Sequence, residues 1–167
     1  MAELVVTAKG QLTFQGRIYP CVLGRSGIVA DKHEGDGGTP VGCFPLRRLL
    51  YRPDRLARPE TALPVQAISP DDGWCDDPSH ADYNRPVRLP HPASCEQLWR
   101  EDHLYDLVVV LGHNDDPPIP GLGSAIFMHL ARPDREPTQG CIALDCENLL
   151  ELLNLCGTDS ALRICAE

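Results

Sequence analysis

The sequence has very few lysines and no run of basic residues. Lys9 and Lys32 are the only lysines among 15 basic residues, which face 24 acidic ones, so the formal net charge is −9. A basic stripe is the electrostatic signature of proteins that bind nucleic acids or anionic membranes. Apolar runs are short as well, and none approaches the ~18 residues of a membrane-spanning helix. We therefore expect neither nucleic acid nor membrane as a partner.

The spacings that zinc ribbons and zinc fingers use are also missing. No Cys-x-x-Cys and no His-x-x-x-His pair occurs, although the chain has eight cysteines, at positions 21, 43, 75, 95, 141, 146, 156 and 165. We predict no metal and no other cofactor. A structural metal protein is the alternative, and stoichiometric zinc on elemental analysis would reveal it.

The N-terminal residues lack a positive region followed by an apolar one, so they do not resemble a signal peptide. Many unpaired thiols are tolerated in a reducing compartment, and we expect the protein to be cytoplasmic. The alternative is a disulfide-bonded periplasmic or secreted domain whose export signal has been removed.

The composition is that of one globular domain over residues 1–167. Hydrophobic residues make up 43% of the chain, enough to bury a core, and 16 prolines and 14 glycines indicate many turns. Short β-branched and apolar runs outnumber helical patterns. We expect a mainly β fold, a β-sandwich or mixed sheet with one or two helices and long loops.

The expected strands are short and separated by turn signals. Arg52–Pro92 is expected to form long ordered loops, and Leu107–Leu111 a central strand that is buried on both faces. Ser94 and Gln97 fit a capping box that starts a short helix. Asp145 is expected to cap a helix from Cys146 to Leu155 that ends at Gly157. The remaining expected strands are Leu4–Thr7, a hairpin of Leu12–Phe14 with Ile18–Leu23 around Gln15-Gly16, Gly27–Ala30, Phe44–Tyr51, Ala125–Leu130 and Ala161–Cys165.

Two residues near the end of the chain have the chemistry of a nucleophile and its base. His129 lies at the end of an expected buried strand, and Cys141 follows the turn Thr138-Gln139-Gly140. A thiol attacks as its thiolate, so it needs a neighbour that takes the proton. The turn-rich chain between His129 and Cys141 is long enough to fold back and bring the two together.

Gly140 allows a backbone conformation in which its N–H and that of Cys141 point at a developing oxyanion. From the residues alone, the alternative is a small buried cysteine and a hydrogen-bonded histidine with no catalytic role.

The pattern strand-His, turn-rich segment, Thr-x-Gly-Cys-aliphatic resembles the L,D-transpeptidase catalytic domain family (YkuD type). The segment Lys32-His-Glu-Gly-Asp-Gly-Gly-Thr-Pro-Val-Gly-Cys-Phe44 is similar to the family's Thr-Pro-x-Gly-x-Phe element. Gly73-Trp-Cys-Asp-Asp-Pro78, Tyr83-Asn-Arg85 and Leu111-Gly-His-Asn-Asp115 resemble a short branch of that family without signal peptides. The resemblance spans about Leu4 to Leu153.

In that family a cysteine attacks the carbonyl of the third residue, a diamino acid, of a peptidoglycan stem tetrapeptide. The resemblance implies that Cys141 is the nucleophile, that His129 is the base, and that a carbonyl just after His129 orients the imidazole. The acyl-enzyme then passes to water or to an amine. The implied partner is a muropeptide or a peptidoglycan stem peptide.

Two positions depart from the family's pattern. Gln139 stands where a histidine usually precedes Gly-Cys, and Ala143 stands where arginine or asparagine usually follows. Arg132 or Arg135 could replace the missing contact, because a guanidinium binds a carboxylate in a bidentate manner; two solvated loop arginines are the alternative.

Further residues are expected to contact the substrate. They are Thr138 and Gln139, next to the expected nucleophile, and His113, which follows a central strand and for which a loop-capping role is the alternative. Trp74 and Tyr83 either wall the groove or pack in the core, whereas Glu34, Asp36 and Thr39 are expected to form turns.

A cytoplasmic enzyme would meet only soluble muropeptides, and water is its natural acceptor. We therefore expect an L,D-carboxypeptidase that removes the terminal D-alanine in muropeptide recycling. The alternatives are an L,D-transpeptidase that forms cross-links or exchanges D-amino acids, and a non-catalytic muropeptide-binding module. A catalytic Cys141 is expected to be the fastest of the cysteines to react with an alkylating reagent.

Overall fold

The computed structural model describes residues 2–167, and most of its regular structure is β-sheet. The elements, in chain order, are β1 (Glu3–Thr7), β2 (Gln11–Phe14), β3 (Arg17–Pro20), β4 (Ile28–Val29), β5 (Thr39–Pro40), β6 (Gly42–Tyr51), β7 (Val65–Ala67), β8 (Asp72–Cys75), β9 (Pro86–Arg88), β10 (Cys95–Gln97), β11 (Leu107–Leu111), β12 (Phe127–Leu130), β13 (Ile142–Leu144), α1 (Cys146–Leu155) and β14 (Ala161–Ile164). The predicted mainly β fold, with one helix and long loops, is confirmed.

Nine strands form the main sheet, in the order β13-β12-β11-β6-β14-β1-β2-β3 with β7 beside β6. β1 and β14 pair in parallel, as do β12 and β13, so the sheet is mixed. A second sheet of three short strands has the order β10-β8-β9. No helix within residues 2–167 has the length and apolar character needed to cross a bilayer.

The strongest local signals are confirmed. The turn between β2 and β3 consists of Gln15 and Gly16, both with positive φ (50° and 78°), as a two-residue hairpin with the right twist requires. All residues of β11 are at most 3% exposed, because core side chains cover both of its faces. α1 begins after Asp145 and buries Leu149, Leu152 and Leu153.

Three details of the prediction are wrong. The segment from Ser94 is strand β10 and not a helix, because Cys95–Gln97 pairs with β8 across the second sheet. A helix of so few residues is marginal without tertiary support, and the pairing overrides the capping signal. Arg52–Pro92 contains β7, β8 and β9, whose lengths of three or four residues are too short for a periodic pattern.

The third detail concerns the ends of α1. Asp145 occupies the N-cap position, but its side chain makes no capping bond. At the other end, Cys156 is extended with φ −74° and ψ 142°, and Gly157 does not take the left-handed conformation that usually ends a helix.

The core divides into two clusters on opposite faces of the main sheet. One contains α1 and the inward side chains of β1, β2 and β14. The other joins the sheet to the three-stranded sheet through Trp74, Tyr105 and Phe127, whose rings meet edge to face at 5.0 and 5.9 Å between centroids. The second cluster includes Cys141, so the candidate nucleophile lies where the two sheets meet.

Candidate active site

His129 is held in one tautomer by the strand that carries it. It is the third residue of β12 and only 3% exposed. Its Nδ1 lies 2.8 Å from the carbonyl oxygen of Leu130. A carbonyl only accepts, so Nδ1 carries the proton and Nε2 is left as the basic nitrogen. The expectation that a carbonyl just after His129 orients the ring is confirmed.

Cys141 immediately precedes β13 and is 8% exposed. Its Sγ accepts a hydrogen bond from the N–H of Phe127 at 3.3 Å and donates to the carbonyl oxygen of Ala125 at 3.2 Å. Burial, and then the negative charge of Glu96, raise the pKa of this thiol to about 12. Cys141 is therefore a neutral thiol in the resting protein.

The register of β12 and β13 brings the histidine and the cysteine to the same face. His129 pairs with Ala143, so Cys141, two positions earlier, points to the same side of the sheet. Both line one cavity of about 450 Å³. Within residues 2–167 no hydrogen bond joins Cys141 Sγ to His129, and the thiol must turn away from Ala125 to pass its proton to the imidazole.

Burial also lowers the pKa of His129 to about 4. The resting pair is thus a neutral thiol and a neutral imidazole, so a reaction at Cys141 would require the thiol proton to move during the attack. The expectation that Cys141 reacts fastest with a general alkylating reagent does not follow from this structure, because the thiol is buried and protonated.

The loop before Cys141 is fixed by close backbone approaches. Gly140 has φ +140°, and a Cβ there would lie 2.7 Å from the carbonyl oxygen of Gly38. Thr39 donates from Oγ1 to the Gly140 carbonyl at 2.9 Å and accepts from the N–H of Gly24 at the same distance. The glycine-rich turn before β5 therefore supports the loop that precedes Cys141, and Thr39 holds that loop in place in addition to forming the predicted turn.

Thr138 closes the same loop. Its Oγ1 donates to the Cys141 carbonyl at 2.6 Å and accepts from the N–H of Gly140 at 3.0 Å. The N–H of Gly140, predicted to point at an oxyanion, is therefore engaged by Thr138 in the resting structure.

The structure separates the predicted substrate contacts into two groups. Arg132, Thr138 and Gln139 line the cavity, and Gln139 Oε1 accepts from Arg25 Nε at 3.1 Å. Arg135 does not line it; this guanidinium instead binds Asp145 at 2.8 Å.

His113 is also outside the main cavity. It lines a smaller one of about 160 Å³, where its ring meets Phe44 edge to face at 5.3 Å. Trp74 packs on Phe127, and Tyr83 donates to Glu34 at 2.7 Å, so both side chains support the cavity's walls from behind.

Sequence reasoning missed a pair that lies against the histidine. Tyr105 meets the His129 ring edge to face at 5.3 Å and donates a very short hydrogen bond to Glu96. Burial raises the pKa of both groups, that of Tyr105 well above its usual value. No spacing signal in the sequence marks this pair, and the predicted helix at Ser94–Gln97 does not form, because Glu96 lies on strand β10.

Charged side chains of both signs line the cavity. The basic ones are Lys32, Arg100 and Arg132, and the acidic ones are Glu34, Asp76, Glu96 and Glu136. Oδ1 of Asp76 is buried and makes no hydrogen bond within residues 2–167. A ligand that carries both carboxylates and an ammonium group would find partners for both, despite the net negative charge of the chain.

One cavity of this mainly β fold thus holds a cysteine and a histidine, the residue types that thiol acyl transfer uses. A family model described as the L,D-transpeptidase catalytic domain (YkuD) matches residues 2–164. The chain therefore belongs to the L,D-transpeptidase catalytic domain family, as its motifs predicted.

Among solved structures, an L,D-transpeptidase from Mycobacterium smegmatis aligns with 99% of this chain at 13% identity and a TM-score of 0.46. The alignment covers 58% of that protein's chain. No curated protein matches the sequence.

Proposed function

We propose that this protein is an L,D-carboxypeptidase that removes the terminal D-alanine from peptidoglycan stem tetrapeptides through a thioester on Cys141. The observation that carries the proposal is the placement of Cys141 and His129 on one face of β12 and β13, in one cavity, with Nε2 of the imidazole left basic. Family membership supports the wider class of peptidoglycan stem-peptide chemistry.

In the first half of the reaction His129 Nε2 accepts the thiol proton while Sγ attacks the carbonyl of the diamino acid. The tetrahedral intermediate collapses to a thioester as the C–N bond breaks. The imidazolium returns the proton to the departing amine of D-alanine. A protonated His129 is disfavoured by burial, since its pKa is about 4, so it is expected to exist only between these two transfers.

In the second half, His129 deprotonates a water molecule that attacks the thioester carbonyl. The product is a tripeptide, and the thiolate recovers its proton from the imidazolium. The cavity volume of about 450 Å³ is in the range of a site for one small ligand, and water as the second reactant needs no additional peptide-binding site.

The charges of the cavity suggest how the peptide is oriented. Arg100 and Arg132 would bind carboxylates of the substrate, since both guanidinium groups line the cavity. Asp76, with its unpaired buried oxygen, would accept the ammonium group of the diamino acid. Removing the carboxylate and the ammonium group from water costs free energy, so their pairing is favourable only when the ligand fills the site.

We place this activity in the reducing cytoplasm, on muropeptides that return for recycling. All eight cysteines are free thiols in the structure, including the nucleophile. An oxidising compartment would favour disulfides over free thiols.

The test is mass spectrometry of the products from a free tetrapeptide. We expect a tripeptide and free D-alanine, and no turnover by Cys141→Ala or His129→Gln, whereas Cys43→Ala retains activity as a matched control. A faster formation of cross-linked peptides, or a faster exchange of the terminal D-amino acid, would show an L,D-transpeptidase instead.

Arg132→Ala is expected to raise KM about tenfold, the effect of one lost carboxylate contact of ~1.4 kcal/mol. Arg135→Ala is the matched control, because that guanidinium binds Asp145 outside the cavity. Equal KM values for both variants would contradict the proposed orientation.

A non-catalytic muropeptide-binding module is the second candidate. The observation that favours it is the resting hydrogen bond from Cys141 to Ala125, with none to His129 within residues 2–167. A binding module would bind tetrapeptide with the same affinity in the wild type and in Cys141→Ala, with no product formed by either.

A further inference from the structure

Two cysteines that are 20 positions apart in the sequence face each other in the small sheet. Cys75 ends β8 and Cys95 begins β10, and the two are direct partners in the antiparallel register. Directly opposed residues of such a pair point to the same face, with Cβ atoms about 4.5–5.5 Å apart. Cys75 is fully buried and Cys95 is partly buried. Neither thiol has a role in the proposed reaction.

A histidine from the loop between β9 and β10 completes a trio with these thiols. Donor atoms of Cys75, His91 and Cys95 all lie within 4.8 Å of one another. A second trio, His80, Asp82 and His91, meets the same criterion and shares His91. Five potential ligands from two connecting loops and two strands therefore converge at this end of the small sheet.

We propose that Cys75, Cys95 and His91 bind a Zn²⁺ ion, with the fourth ligand supplied by His80 or a water molecule. Thiolate and imidazole ligands select zinc over the hard cations, magnesium and calcium. Tetrahedral zinc, with bonds of about 2.0–2.3 Å, holds its ligand atoms roughly 3.3–3.8 Å apart. The donor atoms of the trio lie within 4.8 Å of one another, so they need to approach by about 1–1.5 Å at most.

The surroundings of His91 match those of a zinc ligand. Its Nε2 lies 2.9 Å from Asp82 Oδ2, the carboxylate contact that commonly orients a zinc-bound histidine. Its Nδ1 accepts the N–H of Ala93 at 3.1 Å and is therefore the unprotonated nitrogen, which would exchange this hydrogen bond for a bond to the metal. Binding releases the two thiol protons, and the thiolates and the imidazole donate electron pairs without any redox change.

The site would stabilise a wall of the catalytic cavity. Asp76 and Glu96 directly follow the two cysteines in the chain, and both line that cavity. β8, β9 and β10 have only three or four residues each, and small sheets of this kind need additional stabilisation. A metal that joins β8 to β10 would provide it, with no part in the chemistry of Cys141.

The test is zinc content. The untagged full chain is purified under reducing conditions, incubated with zinc, passed through gel filtration and analysed by elemental mass spectrometry. We expect about one equivalent of zinc per chain, lost in Cys95→Ser and in His91→Ala. Cys43→Ser is the matched surface control and retains zinc. Cys141→Ala also retains it, so the result does not depend on the proposed peptidase activity.

Cobalt substitution gives a second readout. Wild-type protein is expected to show a thiolate-to-cobalt charge-transfer band that Cys95→Ser lacks, and zinc is expected to raise the Tm of chelator-treated wild type but not of Cys95→Ser. Because Cys75 is fully buried, the partly exposed Cys95 and His91 are the better positions to change. Absence of zinc, equal zinc content in Cys95→Ser and Cys43→Ser, or a Cys75–Cys95 disulfide in the reduced preparation would overturn the proposal.

Discussion

Asn84 links the cavity that contains Cys141 to the small sheet, and Asn84→Asp tests that link with almost no change in shape. Asn84 is 5% exposed and has φ 55°, a left-handed conformation that asparagine and aspartate tolerate. Its Oδ1 accepts from Trp74 Nε1 at 2.9 Å and from the N–H of Ala125 at 3.0 Å. Ala125 in turn accepts the hydrogen bond of the Cys141 thiol.

Asn84→Asp keeps the two hydrogen bonds that Oδ1 accepts and removes the two that Nδ2 donates. Asn84 Nδ2 donates to the carbonyl oxygens of His113, at 3.1 Å, and Asn114, at 2.7 Å. Two lost bonds at about 1 kcal/mol each, plus about 2 kcal/mol for a buried carboxylate that faces carbonyl oxygens, give a loss of ~4 kcal/mol. For a chain of this size the Tm is expected to fall by ~8–16 °C.

The sign of the pH dependence follows from the same contacts. Burial and the facing carbonyls raise the folded-state pKa of the introduced carboxyl above its unfolded value. The folded state then binds the proton more tightly, so the variant recovers stability as the pH falls towards 4 relative to the wild type. Urea unfolding followed by circular dichroism at neutral and at mildly acidic pH measures both effects.

Asn114→Asp is the matched control. Asn114 also has positive φ (48°) and donates two side-chain hydrogen bonds, at 3.0 and 2.9 Å, but it is partly exposed. Asn114→Asp should lower the free energy of unfolding about half as much as Asn84→Asp, because water solvates the new charge. If Asn84→Asp unfolds within about 1 kcal/mol of the wild type, or no more easily than Asn114→Asp, the argument from the buried hydrogen bonds is refuted.

Three further predictions concern the active site and the acid stability of the fold. Gly140→Ala forces a Cβ against a backbone carbonyl at 2.7 Å, so we expect the free energy of unfolding to fall by about 2–4 kcal/mol and the proposed peptidase activity to be lost. Gly35→Ala, at φ +79° with open space, should lose about 1 kcal/mol, and equal losses would argue against the close approach. Glu96→Gln removes a charge that raises the pKa of Cys141, so alkylation of this thiol at fixed pH should become faster. An unchanged rate would show that burial alone raises the pKa. Burial lowers the pKa of His113 to about 4. As the pH drops from about 6.5 to 4, the unfolded chain binds this proton before the folded chain does, so the stability of the fold decreases. His113→Leu should therefore flatten the curve of urea midpoint against pH.

The parts of the fold that the sequence predicts well have local causes. The hairpin at Gln15-Gly16 follows from the conformations of a two-residue turn, and β11 from an unbroken apolar run. Helix α1 follows from the spacing of its leucines, although neither its capping bond nor its glycine end forms as expected.

The predicted capping box at Ser94 shows where local reasoning fails. The pattern is a correct helix signal, but the backbone bonds of Cys95–Gln97 go to β8. The energy of pairing with a strand 20 residues earlier in the chain exceeds the weak preference of a few residues for a helix. The residues of this segment alone do not indicate that it pairs with β8.

The sequence was sufficient to identify the family to which the chain belongs and to predict His129 and Cys141 as a candidate pair, because a histidine on a strand and a Gly-Cys turn lie on one continuous stretch. Only the tertiary structure brings Glu96 and Tyr105 against His129, and Cys75 and Cys95 against each other. These contacts depend on pairing and packing between segments that are distant in the sequence, and the spacing of residues along the chain does not predict which segments pair.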